Sequence, residues 1–197
     1  MGKTMKTLAF VTRVHPQRPK MLEVCIESVK SQTDDDYIHI LHHDDKTRTG
    51  YGGLLANQSF MKIGSIDARY VMVLDDDDQL IEPRFVEIFK KTIEHKNPEI
   101  VFFKGITTGF GTLPHKNRWG KVPLYTQIAS FCFAIRTDVW KKYIPEFGRQ
   151  RFGGDFNFIA HCYSKTKDHI WLDLVVAKMQ SVAGRGLGEE KLIGVRK

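Results

Sequence analysis

Apolar residues along this chain follow two rhythms. The runs TLAFVT (7–12), YIHILH (37–42), YVMVL (70–74), EIVFF (99–103), QIASFCFAI (127–135) and HIWLDLVVA (169–177) have the length and composition of strands. Between the first four lie KMLEVCIESVKSQ (20–32), LLANQSFMKIG (54–64) and EPRFVEIFKKTIEH (82–95), where apolar residues recur every three or four positions, as on one face of a helix. Met21, Leu22, Cys25, Ile26 and Val29 make the first such stripe; Phe85, Phe89 and Ile93 make the last, with Pro83 suited to its opening turn. Strand–helix alternation of this kind predicts a parallel sheet covered on both faces.

The second half is less regular. Residues 105–125 are rich in Gly, Pro and polar residues and read as a long loop or a short hairpin. A short helix is expected from Thr137, and another from GGDFNFIAHCYS, where Phe156, Ile159, Ala160 and Tyr163 keep helical spacing. The last residues, including GRGLGEEKLIGVRK, read as a flexible tail. A chain of 197 residues suits a single domain with a substantial core.

Charge narrows the partners. The formal net charge of +7 favours anionic ligands, yet the Lys and Arg residues are scattered, without the basic cluster and interleaved aromatics of a nucleic-acid-binding module. No apolar run approaches the length of a membrane span, and the N-terminus lacks the apolar core of a signal peptide. Three widely spaced cysteines fit neither a disulfide framework nor a zinc site, so a cytoplasmic location is expected.

Acidic residues sit where a parallel α/β sheet gathers its ligands, at the carboxyl ends of strands. Asp44 and Asp45 follow the second strand, Asp75 to Asp78 follow the third, and Asp155 opens a helix after two glycines. On an extended strand Asp75 and Asp77 would share one face and Asp76 and Asp78 the other. Carboxylates packed this closely repel unless a cation compensates them, and Mg²⁺ or Mn²⁺ suits oxygen donors and leaves charge over for a diphosphate.

The sequence LDDDD after an apolar strand resembles the DXD motif of GT-A glycosyltransferases, in the LDxDD form of the large family-two type. FVTRVHPQRP is similar to that family's first strand and loop, MLEVCIESVKSQT to its first helix, HILHHDD to its second strand, LLANQS to its aRNxG segment, and GGDFNF to its GEDxD segment. The likeness runs from about residue 7 to 165, in the family's order. It implies a GT-A fold, α/β with a central, mostly parallel mixed sheet flanked by helices. Residues 7–104 would form the nucleotide-sugar half, 105–180 the acceptor half, and 181–197 the tail.

The resemblance also implies roles. Thr12, Arg13, Asp44, Asp45 and Asn57 match donor-binding positions, with Thr12 and Asp44 at the base; Asp75 and Asp76 join them at the ribose and diphosphate. Asp75, Asp77 and Asp78 are the expected ligands of Mn²⁺ or Mg²⁺. Asp155 matches the general base of inverting members, its helix-start position tending to lower its pKa. The implied activity moves a hexose from a UDP-sugar, such as UDP-glucose, to a carbohydrate or other hydroxyl acceptor. The rival nucleotidyltransferase reading requires a glycine-rich loop after the first strand, and TRVHPQRP has no glycine. The chain departs from the family in Ala56, where the family has Arg, and in GGD for GED.

Overall fold

The computed structural model describes residues 5–16, 18–43, 59–149 and 153–180. Strand β1 (Lys6–Val14) is almost entirely buried because it pairs on both sides, in parallel with β2 (Tyr37–His43) and with β3 (Ala68–Val73). At the edge, β2 is correspondingly half-exposed. Helix α1 (Pro19–Lys30) has proline in its first turn, where a missing N–H costs nothing, and buries Cys25 and Val29. Helix α2 (Phe85–Ile93) buries the expected Phe85, Phe89 and Ile93 together with Val86.

The sheet is mixed. Further strands are β4 (Asp78–Leu80), β5 (Ile100–Thr107), β6 (Gly111–Leu113), β7 (Phe133–Arg136) and β8 (His169–Met179), in the order β2-β1-β3-β7-β5-β8-β4 with β6 hanging on β5. Strand β7 inserts antiparallel between β3 and β5, β8 runs parallel to β5, and β4 runs antiparallel to β8. Thus β1, β2, β3, β5 and β8 share one direction. This is the mostly parallel mixed sheet that the resemblance implies, with β7 as the antiparallel insertion; its run begins at 133 after a 3₁₀ turn over Ser130–Cys132, not at 127. Residues 105–113 form the hairpin of β5 and β6. In the described part of the predicted 54–64 helix, Ser59 is α-helical and a 3₁₀ turn, Phe60–Lys62, follows it; residues 54–58 lie outside the described residues.

Helix α3 (Thr137–Tyr143) leads through a 3₁₀ turn (Ile144–Arg149) toward helix α4 (Gly154–Lys165). Two aromatic clusters anchor the core. Phe85 packs against Phe10, Phe89 and Phe103, with Tyr70 on Phe89. Phe60, Trp140, Phe147 and Phe158 form the other. Among the described residues no helix is long and apolar enough to cross a membrane.

Where β5 passes Phe131, the packing leaves room for no side chain. A Cβ on Gly105 would lie 2.2 Å from the Phe131 ring. Gly105→Ala is therefore expected to cost about 1–3 kcal/mol by overpacking. The reading is a lower urea midpoint with an unchanged m-value; an unmoved midpoint would mean that the ring yields freely.

Candidate functional site

Because five strands share one direction, their carboxyl ends lie along one edge of the sheet, and Asp75 to Asp78 follow β3 there. The segment after β3 is not extended. Leu74 still bonds to β1, its N–H donating to the Val11 carbonyl at 3.0 Å, and then the chain turns, with the Asp78 N–H donating to the Asp75 carbonyl at 2.9 Å. The four aspartates form a turn between β3 and β4, so the alternation of faces expected for an extended strand does not hold.

The turn is clamped from β1. Asp76 is buried and accepts from the His15 backbone N–H at 2.6 Å. Arg18, buried just before α1, places Nη1 2.8 Å from Asp76 and 2.9 Å from Asp77. Arg13 Nη2 reaches Asp75 at 3.2 Å, and its guanidinium lies 5.2 Å from the Phe60 ring centroid. From the other side, β8 delivers Gln180, whose N–H donates to the Asp77 carbonyl at 2.6 Å and whose Nε2 donates to the Asp78 and Met21 carbonyls.

These contacts sort the aspartates. Asp76 is engaged by the protein itself, as a latch between the β1 loop and the turn, with its carboxylate held by His15 and Arg18. Burial pushes its carboxyl up to about 7, with Asp77 adding and Arg18 opposing. For Arg18, burial opposes the charged form, but Asp77 and Asp76 overcome it and hold the guanidinium above its ordinary value. Asp78 is buried at the start of β4, its Oδ1 lacking a hydrogen-bond partner among the described residues. Burial, with Asp77 and Asp75 adding, raises its carboxyl well above the carboxylate range. Asp75 and Asp77 keep 20% and 10% of their side chains exposed at the mouth of the turn.

The chemistry of Asp75, Asp77 and Asp78 fits a hard divalent cation, which takes carboxylate oxygens. Among the described residues, however, no group of three or more His, Cys, Asp or Glu is arranged to hold a metal ion. Asp44, Asp45 and Asn57 lie outside the described residues.

Thr12 is fully buried, and its hydroxyl is spent inside the fold. It donates to the Leu74 carbonyl at 2.7 Å. A hydroxyl has one proton, so the 2.8 Å contact to His39 Nε2 is accepted from the imidazole, which assigns the Nε2–H tautomer. Burial holds His39 down at about 4, so the ring is neutral. The Thr12 hydroxyl is a structural tie among β1, β2 and the segment leading into the aspartates.

Asp155 lies in the first turn of α4, after Gly153 in the left-handed conformation (φ 69°). The residue keeps part of its surface, and burial raises its carboxyl to about 6. The negative charge of Asp75 pushes the same way, while the Phe156 N–H and Arg13 pull back. The helix start was expected to lower this pKa; burial outweighs it. The charges at the ends of β1 and β3 are thus felt at the start of α4.

Arg18, His15 and Gln180 went unassigned in the sequence reading. Four adjacent carboxylates demand counter-charge, and Arg18 in HPQRP was the nearby buried source of it, though only the fold reveals that it turns back. Trp119 packs on Trp171, with centroids 5.1 Å apart.

In fold, the chain is similar to S. aureus TarS 1–349, with a TM-score of 0.67 at 12% identity over 88% of this chain and 60% of that one. TarS 1–349 in complex with UDP-GlcNAc aligns with a TM-score of 0.63 at 12% identity, over 93% and 61% of the two chains. The chain thus spans about 60% of the length of TarS 1–349. A glycosyltransferase involved in the glycosylation of the major capsid of PBCV-1 aligns with a TM-score of 0.59 at 10% identity, over 90% of this chain and 95% of that one. No protein-family model and no curated protein matches the sequence.

Arg18 carries the testable consequence of the clamp. Arg18→Leu strands Asp76 and Asp77 and is expected to cost about 3–5 kcal/mol, the usual penalty for breaking a buried ion pair. Urea unfolding at neutral pH measures it, and a loss below about 1 kcal/mol would put the clamp in the class of surface pairs.

Proposed function

We propose that this protein is a metal-dependent glycosyltransferase of GT-A, family-two type, transferring a sugar from a UDP-sugar to a hydroxyl acceptor with inversion. The observation that carries this reading is the Arg13–Asp75 pair at the carboxyl end of β3, on a fold shared with a protein crystallised with UDP-GlcNAc. The donor class follows from that likeness and from the LDDDD motif.

In this mechanism Arg13 and the mouth of the aspartate turn bind the diphosphate. Asp75 and Asp77 would hold Mn²⁺ or Mg²⁺, which supplies counter-charge to a departing nucleoside diphosphate. Asp44, Asp45 and Asn57 complete the donor site around the nucleoside. Arg18 and His15 keep the turn in place, so that Asp75 stays aimed at the donor while Asp76 holds the loop. Asp155 takes the proton from the acceptor hydroxyl as that oxygen attacks the anomeric carbon. With its pKa near 6 the carboxylate is ionised at neutral pH yet basic enough to accept that proton.

Calorimetric titration of UDP and UDP-GlcNAc, with and without Mn²⁺, checks the donor site. Binding is expected to require the metal and to fall at least roughly tenfold in Asp77→Ala, a loss of about 1.4 kcal/mol. Binding that ignores both metal and substitution would sink the metal reading, and no binding under any condition would sink the donor reading.

Asp155→Asn is expected to keep UDP affinity while lowering turnover by roughly 10²–10⁴-fold, the range of general-base contributions. In wild type, a raised carboxyl pKa means that the base is lost as pH falls. The acid limb of kcat/KM should therefore break near pH 6. A flat profile from pH 5 to 8, or full turnover in Asp155→Asn, would remove Asp155 from the chemistry.

A further inference from the structure

Exposed large apolar side chains concentrate in one stretch of the second half: Ile106, Phe110, Val122, Leu124 and Tyr125. Tyr125 is exceptional among them because it is both exposed and fixed. Its ring meets Phe156 edge-on, with centroids 5.5 Å apart and planes at 70°. Its Cε2 lies 2.7 Å from where a Cβ on Gly153 would stand, and Gly153 has φ +69°, so only glycine satisfies both the space and the backbone. The next residue, Thr126, has φ +66°, a conformation that a β-branched residue adopts only under constraint. Yet Tyr125 remains 54% exposed.

A ring held by a strained neighbour and a seat without a side chain, but left half in water, has a face for a ligand. Its place says which ligand. Gly153 and Phe156, the two residues it rests on, bracket Asp155 in the first turn of α4. A group lying on Tyr125 therefore sits against the helix turn that carries the candidate base. An acceptor hydroxyl carried on a saccharide suits such a ring, since a pyranose offers an apolar C–H face with hydroxyls at its rim, and a tyrosine offers an apolar face with a polar tip.

We propose that Tyr125 is the acceptor platform: the C–H face of an acceptor sugar packs on its ring and presents a hydroxyl to Asp155. The proposal rests on the transferase reading above and adds the class of acceptor and the residue that positions it. Tyr125 acts through binding, not through the proton transfer.

The test is saturation-transfer NMR on the full chain with UDP present, using the methyl glycosides of glucose, galactose, mannose and N-acetylglucosamine as probes. At least one glycoside is expected to receive saturation on its ring C–H protons. Tyr125→Ala should weaken that binding roughly five- to tenfold, as loss of an aromatic contact implies. Tyr125→Phe should retain it, and UDP affinity should be unchanged in both variants. Equal signals from wild type and Tyr125→Ala, equal losses in Tyr125→Phe and Tyr125→Ala, or no glycoside signal from wild type would each overturn the platform. A Tyr125-dependent glycoside signal from a protein that binds no UDP would uphold the platform and defeat the nucleotide-sugar reading instead.

Discussion

Arg18 sits between two carboxylates, nearly sealed from water, at 2.8 and 2.9 Å from Asp76 and Asp77. The geometry of the whole edge depends on that guanidinium. Two unit charges 4 Å apart interact by about 4 kcal/mol at an effective dielectric of 20, so four neighbouring aspartates at the end of a buried strand would splay without a counter-ion. One cation fixed in the fold lets the turn between β3 and β4 close on itself. Asp76 can then serve as an inward latch while Asp75 and Asp77 keep their exposed edges. Arg18 lies just before α1, and Gln180 just after β8; the turn is thereby tied to elements far apart in sequence. A divalent cation bound at the mouth would add to this compensation instead of supplying all of it.

The same constraint explains why the fold was more legible in the sequence than the site. Phe85, Phe89 and Ile93 announce α2 through spacing alone, because burial of one helical stripe is a local pattern. The strand TLAFVT is readable for the same reason, and β1 extends it by only a residue or two at each end. By contrast β7 sits between β3 and β5 through pairings that skip over α2 and the hairpin, and no local rhythm encodes an insertion. Strand β4 has three residues, too few for any period to show.

Within the site, charge was legible and orientation was not. Composition at the strand end marked Asp75 to Asp78, but a one-dimensional reading assumed an extended segment and gave alternating faces to what is a turn. Thr12 shows the same gap. A threonine on a strand next to the ligand edge can face either way, and here Leu74 and His39 claim its hydroxyl. Both cases have one physical root: where a polar group faces is settled by partners distant in sequence.

Asp155 poses the opposite problem, since its position was legible and its electrostatics were not. At a helix start, the macrodipole and the Phe156 N–H favour the carboxylate, but such effects are worth about 0.3–1 kcal/mol, less than one pKa unit. Desolvation of an enclosed carboxyl moves pKa by several units in the other direction, and the charge of Asp75 adds to it. Burial therefore wins, and the carboxyl settles at about 6. An exposed helix-start aspartate would be ionised but a poor proton acceptor; a fully sealed one without a hydrogen-bond donor would stay protonated. The burial of Asp155, set against the Phe156 N–H and, more weakly, Arg13, puts it between those limits, where a general base works at neutral pH. The electrostatics of Asp155 and the chemistry proposed for it thus follow from the burial of the turn that opens α4.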